Sequence, residues 1–499
     1  MAPAPPASRV ALLQEALPNY RRCRAPHDRD YRGCFGPLGR SGRPLPASSP
    51  AHVLAAARAA LGPAEIPAEG IGADAAVRQF TELLTCYGLD LSNPRAAAHL
   101  QPPPLAVAAA GDAVVGALNP SLDTYDSGPS AIAVERWVVE ALARLAGLPG
   151  DADGVFTPGG SLSNLMGLLL ARDRAGARRG VDVRQDGLAA LGQPVVLTGE
   201  LAHFSVRRAC AALGLGERCV RPVALDARRR MRPDALAAAL ADLNRNETPI
   251  AVVATAGGTD FGAIDPLPEI ASLTEAFSIW LHVDAAYGFG VLFSPRLTAT
   301  LEGLDGLGRA DSLALDLHKL GWQPAPASVL LTADPAPFAT LEREVSYLNP
   351  ADDTAAGFTG LLGRSLQTTR RADAVKVATT LLAVGGRELG HMVEHCHRLA
   401  QYAQTRIQAR PALRLIGPAE LTTVVFRYQP TGTDQADVDA LNARLLRSGS
   451  ALIGRTEVTE ADGRSSVCLK LTFVNPTATE SDVDQLLDAV CAAAVQECA

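Results

Sequence analysis

Two short apolar runs each deliver a charged side chain suited to chemistry. Residues 310–319 read Ala-Asp-Ser-Leu-Ala-Leu-Asp-Leu-His-Lys and end on Lys319. Residues 279–288 read Ile-Trp-Leu-His-Val-Asp-Ala-Ala-Tyr-Gly and carry Asp284. Both charges stand at the C-terminal end of a strand-like stretch, the edge at which open α/β sheets hold ligands. A lysine amine there can form a Schiff base with an aldehyde cofactor. An aspartate there can hold the protonated ring nitrogen of pyridoxal 5'-phosphate. Taken alone, Lys319 reads equally well as a surface charge and Asp284 as a helix N-cap.

Three further segments join them. Phe156-Thr157-Pro158-Gly159-Gly160-Ser161-Leu162-Ser163-Asn164-Leu165 leads from a turn into a helix. Free amides of a first helical turn form an anion site, so the backbone N–H groups of Ser161 and Leu162 are expected to hold a phosphate. An ordinary loop with an N-cap is the plainer account of that segment by itself. His203 follows the strand-like run 194–198 and could stack on a planar ring, although a lone histidine there is more often structural. Thr259 ends Ala254-Thr255-Ala256-Gly257-Gly258, where turn chemistry explains it as well as a ligand does. The order shifts the balance. Glycine loop, His203, Thr259, Asp284 and Lys319 each follow a strand-like run at one edge of a single sheet.

The elements that must position them are legible in outline. Strand-like runs at 194–198, 221–225, 250–255, 279–284, 312–316 and 327–331 alternate with helical patterns. Such alternation predicts a mostly parallel central sheet with crossover helices, an α/β fold. Residues 1–50 are rich in Pro, Arg and Gly and read as an arm, partly disordered or packed on a partner subunit. Residues 51–129 read as an N-terminal helical segment, opened by alanine-rich helices over 51–88. An amphipathic helix over 130–148 opens a large cofactor-binding domain, residues 130–375. A long helical stretch to residue 410, strands at 422–428 and 466–473 and a helix from about residue 480 make residues 376–499 a small α+β domain.

The chain has 499 residues, is 47% hydrophobic and 20% charged, and carries a net charge of −7. A balance without basic excess gives no reason to expect nucleic acid or an anionic membrane as partner. No apolar run has membrane-spanning length, and Pro3 to Pro6 would spoil a secretory leader. Nine scattered cysteines without a CxxC pair suggest reduced thiols in a cytoplasm, with no zinc site and no disulfide framework.

The motifs resemble those of the pyridoxal-phosphate-dependent group II amino-acid decarboxylases, of aminotransferase-like fold type I. The likeness runs from about His52 to the C-terminus. It rests on Asn119-Pro120-Ser121-Leu122-Asp123-Thr124-Tyr125-Asp126, the Thr-Pro-Gly-Gly-Ser loop, Ala202-His203, His282 to Tyr287 and Asp316-Leu317-His318-Lys319. Tyr347-Leu348-Asn349, the run Ser365 to Arg371 with Asp373 and Lys376, and Asn475-Pro476 also match. The Asp-x-His-Lys form, the Gln-Thr-Thr-Arg-Arg run and Lys470 are similar to the diamino-acid branch. That branch includes 2,4-diaminobutyrate decarboxylases and siderophore-pathway lysine decarboxylases.

The resemblance implies that Lys319 carries the cofactor, that Asp284 pairs with its ring nitrogen and that His203 stacks on the ring. It implies phosphate contacts from Ser161, Leu162 and His318, and a place near the cofactor for Thr259. Tyr347 would be the general acid on a loop reaching a neighbouring subunit's site, in a homodimer with sites at the interface. The substrate would be an amino acid. A diamino acid (2,4-diaminobutyrate, then lysine or ornithine) is preferred, with Asp123 or Asp126 as acceptors of its cationic side chain. Lys470 instead favours an acidic substrate, aspartate or glutamate. A carbon–carbon lyase or aldehyde-forming oxidative decarboxylase, and an inactive partner subunit, are the remaining alternatives. A carboxylate beside a phosphate dianion repels it, so Asp316 is assigned no phosphate role.

Overall fold

The computed structural model describes residue 35 and residues 42–429, 438–459, 463 and 465–495. Most of the expected arm, residues 1–34 and 36–41, lies outside the described residues. The chain forms two compact units. Among the described residues, a large unit holds residues 104–394, and a small one joins residue 35 and residues 42–103 with those from 395 onward.

Two helices come first, α1 (Pro50–Leu61) and α2 (Ala73–Tyr87), and neither buries a residue. The Ser49 hydroxyl caps α1 by accepting from the His52 N–H at 3.2 Å. The short strand β1 (Ala96–Ala97) follows.

The large unit opens with α3 (Ala106–Leu118) and α4 (Pro129–Leu145). Its sheet then builds in the order β2-β8-β7-β6-β5-β3-β4. These strands are β2 (Asp153–Thr157), β3 (Gln193–Gly199), β4 (Val220–Val223), β5 (Glu247–Thr255), β6 (Trp280–Asp284), β7 (Ser312–Asp316) and β8 (Ser328–Thr332). The pairs β3/β4, β3/β5, β5/β6 and β6/β7 are parallel, whereas β8 runs antiparallel to both β7 and β2. The expected mostly parallel α/β sheet is therefore observed, with an antiparallel pair added at one side. Every residue of β6, β7 and β8 is buried, as strands covered on both faces require.

Helices α5 (Gly160–Ala177), α6 (Ser205–Ala212) and α8 (Leu267–Phe277), with α7 (Pro233–Ala241), occupy the connections. Helix α8 shows why they dock. Its buried Leu267, Ile270, Ala271 and Thr274 recur at helical spacing and give one apolar stripe. Helix α5 is more deeply placed and buries residues around most of its circumference, from Met166 to Ala171.

The expected helical stretch beyond residue 370 is two helices, α9 (Ala374–Ala383) and α10 (Gly385–Gln408). Gly385 has φ +79°, a left-handed backbone that glycine adopts at low cost and that breaks the helix there. Helix α10 begins in the large unit and ends in the small one.

In the small unit the sheet order is β1-β11-β12-β10-β9. After β9 (Leu413–Leu415) and β10 (Thr423–Tyr428) come α11 (Val438–Ser448), β11 (Leu452–Thr459), β12 (Ser465–Thr472) and α12 (Glu480–Val495). Two strands were expected there. The structure adds β9 and β11, and β1 pairs in parallel with β11.

That pairing ties the segment before residue 103 to the small sheet, whereas the sequence reading extended the N-terminal helical segment to 129. In the large unit, Lys376 of α9 pairs with Asp112 of α3 at 3.1 Å. Helix α9 thereby belongs with α3, and the second division falls near 394 rather than 375.

Candidate active site

The C-terminal edges of β3, β5, β6 and β7 face the N-terminus of α5 around a cavity of about 250 Å³. Ser161, His203, Thr259, Asp284, His318 and Lys319 all line it. Their gathering follows from strand order. Adjacent parallel strands end at one edge, so side chains far apart in sequence converge there.

Asp284 ends β6 and is buried. Its Oδ2 accepts from the Asn164 side-chain amide at 2.8 Å, and its Oδ1 accepts from the Ala286 N–H at 3.1 Å. His203 Nδ1 lies 2.7 Å from the Ser205 hydroxyl. Burial holds the His203 imidazole below its ordinary pKa, while the nearby Asp284 carboxylate pulls the other way. His318 is also lowered, again chiefly by burial.

Lys319 Nζ lies 2.9 Å from Asp316 Oδ2, and the Ser328 hydroxyl donates to the other carboxylate oxygen. The chain has three lysines. Lys376 is wholly buried between Asp112 and Asp373, and Lys470 belongs to the small unit. Lys319 is the one that lines this cavity.

At the helix end, Gly160 is packed closely. A Cβ there would lie 3.0 Å from Asp316 Oδ1 and 3.3 Å from the Ala286 methyl. The Leu162 N–H already donates to the Gly159 carbonyl at 2.9 Å, and the Leu162 side chain packs on the core. Of the two expected amide donors, Ser161 is the one that lines the cavity.

This donor set fits pyridoxal phosphate. A long helix offers its N-terminus to an anion. A buried carboxylate suits a ring nitrogen, an imidazole can cover a ring face, and a lysine amine can form the covalent link.

Other expected residues lie elsewhere. Asp123 lines a separate cavity of about 630 Å³ with Asp153, Glu342 and Arg364. Its carboxylate accepts from the Ser121 hydroxyl at 2.6 Å, and exposed Asp126 accepts from Thr124 at the same distance. Tyr347 stands in a loop and is 81% exposed. Lys470 is buried on β12 beside His99, whose pKa is lowered by burial and then by the lysine charge.

The Gln367–Arg371 run also acts away from the cavity. Arg370 forms a buried ion pair with Glu135 at 2.7 Å. Glu135 accepts from the Phe156 N–H and Arg370 donates to the Phe156 carbonyl, so the pair clamps the end of β2 just before the glycine loop. Arg371 pairs with Asp112 and Asp373.

Sequence reasoning did not single out Asn164, which lines the cavity, or Ser205, His282 and Ser312, which support it from behind. His282 is fully buried, and burial pushes its imidazole down to about 4. Gly167 of α5 makes room for it, since a Cβ there would lie 2.6 Å from the ring. The available signal was spacing: Asn164 stands one helical turn beyond Ser161. A larger groove of about 680 Å³ lies at the opposite end of the same strands, beside Trp280 and Asp311, and it has neither lysine nor histidine.

Residues 68–429 match the family described as the pyridoxal-dependent decarboxylase conserved domain. The chain is 42% identical over 429 residues to the L-2,4-diaminobutyrate decarboxylase of Rhizobium meliloti (strain 1021), covering 85% of this chain and 83% of that protein. It is 34% identical to the L-2,4-diaminobutyrate decarboxylase of Acinetobacter baumannii, with 85% of each covered. A solved structure from Vibrio parahaemolyticus is also similar. It is the glutamate decarboxylase domain of diaminobutyrate-pyruvate transaminase and L-2,4-diaminobutyrate decarboxylase. The TM-score is 0.78 at 31% identity, with 91% of each chain covered.

Proposed function

The chain belongs to the pyridoxal-dependent decarboxylase family, and on that premise we propose that it decarboxylates a diamino acid, L-2,4-diaminobutyrate first. The observation that carries this choice is the 42% identity to a diaminobutyrate decarboxylase across 85% of the chain.

The side chains divide the work as follows. The N-terminus of α5, with the Ser161 amide, binds the phosphate and fixes the cofactor's depth. Asp284 keeps a proton at the ring nitrogen, and Asn164 holds that carboxylate in place. When bound, the cofactor supplies the electron sink that accepts the pair released as CO2 departs. His203, which lines the same cavity, would hold the ring and exclude water from it. Lys319 would hold the cofactor through its side-chain amine, the one lysine amine at this cavity. Tyr347 delivers a proton from Oη to the substrate's α-carbon after CO2 has left.

The exposure of Tyr347 supports a partner-dependent version of this scheme, in which the loop completes the site of a second copy in a homodimer. The amino acid and diamine are small and soluble, and none of the described helices is long and apolar enough to cross a membrane. A diamine product suits an enzyme feeding polyamine or siderophore synthesis.

Competition among equimolar diaminobutyrate, lysine, ornithine, aspartate and glutamate, with CO2 and amine measured, tests the substrate. The highest kcat/KM is expected for diaminobutyrate. A higher value for aspartate or glutamate than for every diamino acid overturns the reading.

A further inference from the structure

We propose that Asn164 is a positioning residue, the fork of a one-way hydrogen-bond chain that orients Asp284 and fixes the tautomer of His203. The chain begins at Trp280, whose Nε1–H donates to the Ser312 hydroxyl at 2.8 Å. Ser312 Oγ is 2.8 Å from His282 Nδ1, and His282 Nε2 is 2.9 Å from Asn164 Oδ1. The Asn164 amide nitrogen then reaches Asp284 Oδ2 at 2.8 Å and Ser205 Oγ at 2.9 Å. Ser205 Oγ ends the chain 2.7 Å from His203 Nδ1. Asn164, Ser205, His282 and Ser312 are each at most 1% exposed, so water does not compete for these groups.

Donor and acceptor inventories force the direction of every link. A carboxylate only accepts, so the amide nitrogen of Asn164 faces Asp284 and its Oδ1 faces His282 Nε2. The neutral His282 ring, kept so by burial, then carries its hydrogen on Nε2 and donates to Asn164 Oδ1. That leaves His282 Nδ1 as an acceptor, so Ser312 donates to it while accepting from the Trp280 indole N–H. The second hydrogen of the Asn164 amide goes to the Ser205 hydroxyl oxygen. The Ser205 backbone N–H points to His203 Nδ1 at 3.3 Å and marks that nitrogen as an acceptor, so the Ser205 hydroxyl donates to it as well. Neutral His203 therefore carries its hydrogen on Nε2, the donor it has left to offer a molecule in the cavity. Gly167 is part of the device, because any larger residue would displace the His282 ring.

The proposal rests on the reading of Asp284 and His203 as ring contacts, and its test separates the two. Nitrogen NMR of histidine-labelled apoprotein reads the tautomer without cofactor. Wild-type His203 is expected as the single Nε2–H form, and Ser205→Ala or Asn164→Asp as a mixture. In the loaded enzyme, Asn164→Asp keeps the shape and the acceptor for His282 but loses the two N–H donors and sets a second carboxyl against Asp284, where the two must share a proton. Its kcat is expected to fall about 10-fold or more with KM within about twofold. A space-filling role would leave kcat and tautomer unchanged. An Nδ1–H wild-type His203, or unchanged tautomer and kcat in the variants, overturns the proposal. Where Asn164→Asp does not fold, the milder Ser205→Ala carries the tautomer test. Full activity in both Asp284→Asn and His203→Ala would instead refute the ring contacts, leaving the apoprotein result to stand by itself.

Discussion

Asp284→Asn isolates one charge at the centre of the site. The side chain keeps its shape, so the two bonds it accepts, from Asn164 and from the Ala286 N–H, frame the change. The new amide can still accept from Ala286. Its nitrogen then faces the Asn164 amide nitrogen, so two donors meet and one buried N–H goes unsatisfied. That mismatch costs about 1–3 kcal/mol. Losing the charge-assisted contact to the ring nitrogen costs a further 1.5–3 kcal/mol or so. Part of the sum falls on cofactor affinity. At about 1.4 kcal/mol per decade, the remainder lowers kcat roughly 100-fold or more. Single-turnover CO2 release at saturating cofactor, with cofactor affinity measured separately, reads both effects. A kcat within about twofold of wild type would show that Asp284 does not face the ring nitrogen.

Three further outcomes are expected. His282 is buried and neutral, with its pKa pushed from 6.5 down to about 4; its contribution is therefore complete above about pH 6.5 and lost as pH falls towards 4. The loss is of order 3 kcal/mol, and urea unfolding should flatten over that window in His282→Gln if His282 causes it. Arg370→Met leaves Glu135 buried without its cation and should destabilise the large unit by about 3–5 kcal/mol, read as a lower urea midpoint; an unchanged midpoint removes the clamp from the account. Tyr347→Phe should still release CO2 but divert product towards aldehyde, the amino group being retained by the cofactor and the link hydrolysed by water, because protonation of the α-carbon slows; an unchanged amine yield with no aldehyde would take Tyr347 out of the mechanism.

Much of the sheet was legible because its strands are covered on both faces. The runs ending at Thr198, Asp284 and Asp316 are mostly apolar and lie close to the observed strands. Strand β2 is short and runs directly into the glycine-loop segment, and β11 alternates only partly, with Arg455, Glu457 and Thr459 outside the buried set. Lys319, Asp284, His203, Thr259 and Ser161 could be picked out because each follows directly on a strand or opens a helix. Asn164 shared a helix face with Ser161, but its partner Asp284 lies 120 positions away in sequence, so its role emerges only from the fold. Arg370 looked like a branch marker, and only its tertiary contacts reveal the clamp on Phe156.

Borohydride reduction of the loaded enzyme, followed by peptide mass spectrometry, tests the central assignment most directly. With three lysines in the chain, the answer is a choice among Lys319, Lys376 and Lys470. The pyridoxyl group is expected on Lys319, the lysine that lines the cavity. The same label on Lys376 or Lys470, or retention of a reducible cofactor link in Lys319→Ala, would contradict the account.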